Sequence, residues 1–308
     1  MFARMTPDAT TAPGVVMSDP LAIAARVGAT SGRPGAKPIP AAPPVTPLRP
    51  GLPPIAILVD YDGTIALTDV SDTVMAEHVS HADWERIVAI YDAGGMGSRR
   101  LMEWEITLIR ATEAELLATA AAQPHDSGFA PFARRATAAG IPVEVVSDGF
   151  GFFIGPALAR LGLADLPIVT ARTTFNGRHG AIEWPNGHPS CRVCGTCKRQ
   201  RVLDHQAAGR AVLFIGDGES DRYAAGYADL IFAKRALVPI CLVNGWPYER
   251  WTEFSEIHAW LNGRLDAWRR DPAGAFPAPA AHPIFCGPEV WGDGVEDPPG
   301  AERPPGEA

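Results

Sequence analysis

Two short apolar runs in this chain end in clustered carboxylates. Residues 55–59 lead directly into Asp60-Tyr61-Asp62-Gly63-Thr64, and a later run stops at Gly216-Asp217-Gly218-Glu219-Ser220-Asp221. Two acids separated by one residue project to the same side of an extended backbone, so Asp60 and Asp62 can face one ligand. Acids that converge on one point repel each other unless a cation holds them, and oxygen ligands suit Mg²⁺. The two groups therefore predict a magnesium site.

A third apolar run ends in polar residues of a different kind. Residues 142–146 are followed by Ser147-Asp148-Gly149, which offers a hydroxyl and free backbone N–H groups. Such donors suit an anion, although a serine at a strand end can also merely cap the next helix.

Alternating strands and helices must position these groups. Fully apolar runs are typical of buried parallel strands, and helical patterns separate them. We predict an α/β fold with a doubly wound, mainly parallel sheet, the groups above lying at the carboxyl ends of its strands. The predicted strands are 55–59, 142–146, 167–170, 211–215 and 230–233; a hairpin around Asn176-Gly177 is predicted within 173–184, and a closing helix over 252–269.

A helical block interrupts the alternation between the first two strands. Residues 71–123 show helical periodicity, including a capping-box pattern that begins at Thr112 and includes Glu115. We expect this block to form a helical cap above the strand ends. The predicted core is then 54–70 with 124–271.

Two proline-rich tails flank this middle part. Of the 30 prolines, 21 lie in residues 1–54 and 272–308. We expect the tails, 1–53 and 272–308, to be disordered, since they lack the apolar content that offsets the entropy of ordering.

Composition excludes several classes of protein. The chain carries a net charge of −8, and the part between the tails carries −6, which argues against nucleic acid as a partner. There is no apolar run of about 18 residues, so we expect no transmembrane helix. The first residues lack the pattern of a secretory signal, and we expect a cytoplasmic protein.

The motifs resemble those of the haloacid dehalogenase-like phosphohydrolases from about Pro54 to Arg270. Asp60-Tyr61-Asp62-Gly63-Thr64 looks like the first motif of that superfamily, Ser147 its second, Lys198 its third and the 216–221 turn its fourth. Four motifs in the expected order make the resemblance specific. The chain is most similar to the branch with a helical cap between the first two motifs, which includes 2-hydroxy-3-keto-5-methylthiopentenyl-1-phosphate phosphatases and, further off, phosphoserine phosphatases.

The resemblance implies a role for each motif residue. Asp60 would attack phosphorus and form an aspartyl-phosphate, and Asp62 would act as general acid and then as general base. Mg²⁺ would be held by Asp60, the Asp62 carbonyl and Asp217, with Asp221 as a fourth metal-site residue that orients water or Asp217. The phosphate would be bound by Ser147, the N–H groups of Asp148 and Gly149, and Lys198.

Three cysteines precede Lys198. The spacing Cys191-x-x-Cys194-x-x-Cys197 is compatible with a structural Zn²⁺ site completed by His188, His179 or Cys241. Free buried thiols, or a redox pair of Cys194 and Cys197, are the alternatives.

The cap should decide which substrate is bound. Ser98 is a candidate N-cap, and Arg99 is the candidate substrate residue, since relatives with helical caps use an arginine near this place. Asp69 and Asp72 either line the cleft or cap the first cap helix. The aromatic residues Trp84, Tyr91 and Trp104 are expected in the core of the cap.

The predicted activity is Mg²⁺-dependent hydrolysis of a small-molecule phosphate ester by a phosphoric monoester hydrolase. Dehalogenation on the same scaffold is a rival enzyme function, although it needs neither the Asp62 acid nor an acidic metal turn. A regulatory module that binds phosphate or metal is the alternative outside the enzymes.

Overall fold

A six-stranded parallel sheet forms the centre of the molecule. The computed structural model describes residues 44–189 and 191–270, apart from the side chain of Arg269. The strand order is β3-β2-β1-β6-β7-β8, and every neighbouring pair is parallel. The strands are β1 (Ile55–Val59), β2 (Val143–Val146), β3 (Ile168–Val169), β6 (Ala211–Gly216), β7 (Leu230–Ala233) and β8 (Glu249–Arg250).

Both faces of this sheet are buried. In β1, Ile57 and Val59 pack into one cluster with Phe129, Phe132 and Phe254, and Leu58 points to a second cluster on the other face. Strands covered on both sides need apolar residues at successive positions, and β1 has them at all five. The core helices are α5 (Phe129–Ala138), α6 (Ile154–Arg160), α7 (Lys198–Ala207), α8 (Arg222–Ala225), α9 (Leu237–Asn244) and α10 (Phe254–Arg270). The predicted doubly wound fold is confirmed.

Four helices between β1 and β2 form the cap: α1 (Val70–His78), α2 (His81–Asp92), α3 (Ser98–Leu108) and α4 (Glu113–Ala121). The capping box predicted at Thr112 is present, with reciprocal bonds to Glu115. The chain enters and leaves the cap side by side, since Leu67 N–H donates to Pro124 O and Asp126 N–H donates to Ile65 O. The hairpin is formed by β4 (Arg172–Asn176) and β5 (His179–Glu183), and the Ile106 side chain of α3 lies against Gly180 of β5.

Sequence patterns missed several elements. They did not predict the helices α5, α7 and α9 or the strand β8, and α8 is shorter than the helical pattern after Glu219 implied. Residues 44–53 contain no helix or strand, yet Leu48 N–H donates to Ala208 O and Arg210 donates to Thr46 O. The other residues of the predicted tails lie outside the described part of the chain, and the domain boundaries stay predictions.

No helix in the described part of the chain has both the length and the apolar character needed to cross a bilayer.

Candidate active site

A buried ion pair lies at the carboxyl end of β1. Asp60 follows the last residue of that strand, and its Oδ1 accepts a hydrogen bond of 2.6 Å from Lys198 Nζ. Lys198 is the first residue of α7, and its ammonium also contacts Asp221 Oδ1 at 2.7 Å and Ser220 Oγ at 3.2 Å. The folded chain thus joins three of the four motifs through one ammonium group.

The charges of this pair depend on each other. Burial acts to lower the pKa of Lys198, but the neighbouring Asp221 and Asp60 outweigh it and hold the pKa above its ordinary value. Burial and the charge of Asp221 raise the pKa of Asp60, while Lys198 opposes them. The ammonium therefore stays charged and partly opposes the rise in the pKa of Asp60, which remains above its ordinary value.

Asp62 has the environment of a general acid. Its Oδ1 accepts a bond of 2.9 Å from the Val70 N–H, the first residue of α1, and Ser71 Oγ lies 3.5 Å from Oδ2. Burial raises the pKa of Asp62 well above its ordinary value and the charge of Asp69 adds to this, against the bond from Val70. A carboxyl group with a raised pKa carries a proton that it can give to a leaving group.

The turn after β6 holds two carboxylates in different ways. Both oxygens of Asp221 are bound by the protein, Oδ1 by Lys198 and Oδ2 by the N–H groups of Asp217 and Gly218. Asp217 receives bonds only from the Thr64 hydroxyl (3.3 Å) and the Arg235 guanidinium (3.2 Å) among the groups described. Asp221 therefore shapes the turn, whereas Asp217 is placed to hold a ligand.

The carboxylates fit a small divalent cation. One oxygen each of Asp60, Asp217 and Asp221 lies within 4.8 Å of the others, and within residues 44–189 and 191–270 this is the only such group of His, Cys, Asp or Glu. Hard oxygen donors are the ligands that Mg²⁺ prefers. Among the groups described, Asp60 accepts a bond on one oxygen only, and the partners of Asp217 are a hydroxyl and a half-exposed guanidinium, so we expect these two carboxylates to bind a metal more readily than Asp221.

The second motif lies beside Asp62. Ser147 follows β2, is buried, and accepts a bond from the Gly149 N–H at 3.2 Å. A Cβ atom on Gly149 would come within 2.8 Å of Asp62 Oδ2 and 2.9 Å of Ser71 Oγ, so glycine lets the backbone pass close to Asp62 without displacing these side chains.

The Asp148 side chain points to the cap. Its Oδ2 accepts a bond of 2.6 Å from Ser98 Oγ and its Oδ1 a bond of 2.7 Å from the Thr196 N–H. The prediction of Ser98 as an N-cap is wrong by one residue: Gly97 is the N-cap of α3, which leaves the Ser98 hydroxyl free to bond across to Asp148. Asp148 thereby connects the cap to the loop before Lys198.

Arg99 lies at the same junction. Its Nε contacts Glu103 Oε1 at 3.3 Å, its guanidinium lies 5.3 Å from the centre of the Trp184 ring, and its N–H donates to Val193 O. The structure thus places Arg99 between the cap, the hairpin and the cysteine loop, and its contact with substrate stays a prediction.

Asp69 caps α1 by accepting a hydrogen bond from the Asp72 N–H, which is one of the two alternatives predicted.

The geometry of the cysteine cluster does not support a metal site. Among the described residues Cys191, Cys194, Cys197 and Cys241 form no disulfide, and the first three do not converge on one point with any fourth ligand. Burial raises the pKa of Cys197 to about 11, which keeps this thiol protonated and counts against the redox pair. The Zn²⁺ prediction is therefore not supported, and a role of these thiols in shaping the loop before Lys198 stays a prediction.

Sequence reasoning missed two residues that contact Asp217 from other segments. Thr64 belongs to the first motif but had no role assigned to it, and Arg235 lies two residues beyond the end of β7. The signal that identified Asp60, Ser147 and Asp217, a polar residue at the end of an apolar run, falls on Lys234 after β7 and indicates Arg235 only as its neighbour.

Comparisons with known proteins agree with this geometry. The family model described as haloacid dehalogenase-like hydrolase matches residues 57–226. A 2-hydroxy-3-keto-5-methylthiopentenyl-1-phosphate phosphatase of Bacillus pumilus is 26% identical over 204 residues, covering 65% of this chain and 87% of the relative. The protein of the same name from Bacillus velezensis is 25% identical over 235 residues, covering 71% and 96%. These names support the predicted enzyme class.

Solved structures show the same fold. A phosphoserine phosphatase solved as an analogue of its phospho-aspartyl intermediate superposes with a TM-score of 0.52 at 17% identity, covering 70% of this chain and 99% of that one. A probable phosphoserine phosphatase from Vibrio cholerae also gives 0.52, at 15% identity, with 70% and 67% covered. With the family model spanning more than half of its length, the chain belongs to the haloacid dehalogenase-like hydrolases.

Proposed function

We propose that this protein hydrolyses a small phosphate monoester through an aspartyl-phosphate formed on Asp60. The observation that carries the proposal is the meeting of Asp60, Lys198 and the turn after β6, with Lys198 Nζ 2.6 Å from Asp60 Oδ1. A buried carboxylate beside a fixed cation and a protonated acid is suited to attack on phosphorus.

The first step transfers the phosphoryl group to the enzyme. A carboxylate oxygen of Asp60 bonds to phosphorus as the bond from phosphorus to the ester oxygen breaks. Asp62 gives its proton to that oxygen, and the alcohol leaves. The raised pKa of Asp62 supports this role, because the acid must hold its proton near neutral pH.

The second step restores the enzyme. Asp62, now ionised, takes a proton from a water molecule whose oxygen bonds to phosphorus, and the bond to Asp60 breaks to release inorganic phosphate. Ser147, the Asp148 and Gly149 N–H groups, and Lys198 would bind the phosphate oxygens in both steps. Lys198 donates to Asp60, Asp221 and Ser220 in the structure, and the Gly149 N–H donates to Ser147, so these donors would exchange a protein acceptor for a phosphate oxygen when the substrate binds.

Mg²⁺ is the cofactor that the donor set fits. Asp60, Asp217 and the Asp62 carbonyl would hold it, and when bound it neutralises the negative charge between nucleophile and phosphate. Asp221 would keep Asp217 in place because its Oδ2 accepts hydrogen bonds from the N–H groups of Asp217 and Gly218. Haloacid dehalogenase-like phosphatases generally use this ion, as the family resemblance implies.

The substrate class follows from the relatives only as a proposal. Both curated relatives above are named for 2-hydroxy-3-keto-5-methylthiopentenyl-1-phosphate, and the solved structures for phosphoserine, so these esters and phosphoethanolamine are the first candidates. Arg99 and the cap would choose among them. The net negative charge of the chain counts against nucleic acid as a substrate.

The two alternatives predict different results. A dehalogenase needs no leaving-group acid, and the site supplies one in Asp62. A regulatory module needs no nucleophile, and a Lys198 contact to Asp60 would be superfluous in it.

A panel of phosphate esters, assayed for released phosphate with Mg²⁺ and with EDTA, tests the proposal. We expect Mg²⁺-dependent turnover that Asp60→Asn abolishes while circular dichroism and thermal melting stay near those of the wild-type protein. Full turnover in Asp60→Asn would refute the mechanism. No turnover on any ester, with phosphate still bound, would favour the regulatory module.

A further inference from the structure

We propose that Arg235 is an internal counter-cation of the metal site, which holds Asp217 in the metal-free protein and competes with the divalent cation for it. The inference rests on the proposed Mg²⁺ requirement. It concerns a residue that lies outside the four motifs, two positions beyond the last residue of β7.

The contacts of Arg235 tie together two segments of the site. One terminal nitrogen donates to Asp217 Oδ2 at 3.2 Å, and the other donates to the Leu67 carbonyl at 2.8 Å. Leu67 belongs to the segment that enters the cap, and Asp217 belongs to the turn after β6. A single guanidinium thus holds the metal-binding carboxylate against the entrance of the cap.

Arg235 has an unusual backbone conformation. Its φ of +47° is the only positive φ of a non-glycine residue within the described ranges. An L side chain adopts this conformation at a cost that the surrounding structure must offset, and such residues concentrate at functional sites. The contacts to Asp217 and Leu67 are what the conformation makes possible.

Gly63 leaves room for this arrangement. A Cβ atom on Gly63 would fall on Asp217 Oδ2 and within 2.7 Å of the Arg235 guanidinium. The glycine of the first motif, with a φ of +68°, therefore lets the carboxylate and the guanidinium meet against bare backbone.

The other cations near the site are engaged elsewhere. Lys198 donates to Asp60, Asp221 and Ser220, and Lys234 lies 3.9 Å from the centre of the Trp251 ring and 3.4 Å from the Thr64 carbonyl. Arg235 is thus the cation in direct contact with Asp217 among the described residues.

A metal ion can replace Arg235 as the partner of Asp217. The Arg235 side chain is 51% exposed, whereas Asp217 is 12% exposed, so the guanidinium can swing into water while the carboxylate stays. A divalent cation brings more charge to the same oxygen. Loss of the arginine then removes a competitor, and Mg²⁺ should bind more tightly.

The test is the dissociation constant of Mg²⁺ alone, measured by isothermal titration calorimetry on the full chain without substrate. We expect Arg235→Gln and Arg235→Gly to lower this constant by about two- to fivefold, the range for a partly exposed ion pair. The glycine variant also removes the backbone strain, so an effect common to both variants comes from the loss of the guanidinium, with its charge and its bonds to Asp217 and Leu67. Arg235→Lys should return the constant toward the wild-type value.

Arg172→Gln is the matched control. It removes an arginine of similar exposure, 58%, that pairs with Glu183 on the hairpin, and should leave Mg²⁺ binding unchanged. Unchanged or weaker binding in Arg235→Gln would overturn the inference, since a merely structural arginine would weaken the site when lost. If the wild-type protein binds no Mg²⁺, both the inference and the proposed cofactor are wrong. Hydrolysis assays of the same proteins then show whether the proposed phosphatase activity fails as well.

Discussion

The substitution Glu105→Gln should stabilise the protein in a pH-dependent way. Glu105 lies on α3 of the cap, is 3% exposed, and accepts a hydrogen bond of 3.0 Å from Trp84 Nε1. Burial raises the pKa of this carboxyl from 4.5 to about 8, with Asp72 and Asp69 adding to the shift against the bond from Trp84. Glutamine keeps the carbonyl acceptor and cannot ionise.

The sign and size follow from proton linkage. Between pH 4.5 and 8 the folded state holds a proton on Glu105 that the unfolded state has lost, so the stability of the wild-type protein falls as the pH rises. At about 1.4 kcal/mol for each pKa unit, the loss approaches roughly 5 kcal/mol above pH 8 and is on the order of 3 kcal/mol at pH 7. Below pH 4.5 Glu105 is protonated in the folded and the unfolded state, so it causes no loss of stability there.

Urea unfolding of both proteins at intervals from pH 4.5 to 8.5 measures the difference. We expect Glu105→Gln to match the wild-type protein near pH 4.5 and to exceed its free energy of unfolding by on the order of 3 kcal/mol at pH 7. Glu85→Gln, which alters an exposed carboxylate paired with His81 on α2, is the control and should show no such trend. A difference between Glu105→Gln and wild type that is constant with pH would refute the reasoning.

One further substitution and one truncation test individual hydrogen bonds of the structure. Ser98→Ala leaves the half-buried Asp148 without one of its donors and should cost about 1–3 kcal/mol of unfolding free energy. Ser80→Ala removes the hydroxyl of an N-cap serine that makes no side-chain capping bond, and it should cost little; equal losses in the two variants would contradict a role for the Ser98 contact. A fragment of residues 44–270 should melt like the full chain, but one of residues 54–270 should be less stable by about 1–3 kcal/mol, because Arg210 and Ala208 lose their partners Thr46 and Leu48. Equal melting of the two fragments would show that these contacts contribute nothing.

The fold was predictable because short apolar runs that alternate with helical patterns are best explained as buried parallel strands. Buried parallel strands must be apolar on both faces, and β1 and β6 are, whereas β2 contains one buried acid, Glu144. The helix α7 escaped prediction for a related reason. Polar residues such as Arg201 and His205 occupy part of its buried side, where they contact Glu144 of β2. An apolar pattern cannot reveal a face held by ion pairs.

The residues of the site likewise differ in how far the sequence predicts them. Residues within one motif are held by local backbone geometry, so the spacing of Asp60 and Asp62, or of Asp217 and Asp221, predicts which groups can act together. The cysteine spacing failed as a predictor because two-residue intervals permit a shared metal without requiring one. Whether thiolates converge depends on the path of the loop, which here places them before the start of α7 without a disulfide among the described residues.

By itself, the amino-acid sequence determined the parallel sheet, the helical cap and the residue types that a phosphoryl-transfer site needs, because periodicity and motif spacing are local properties. Only the tertiary structure decided which charges meet. Lys198 lies 138 residues from Asp60, and Arg235 lies 18 residues from Asp217, yet each pair is in contact. The pKa values of Asp62 and Glu105 are likewise set by burial and by charges from other segments, which no local pattern encodes.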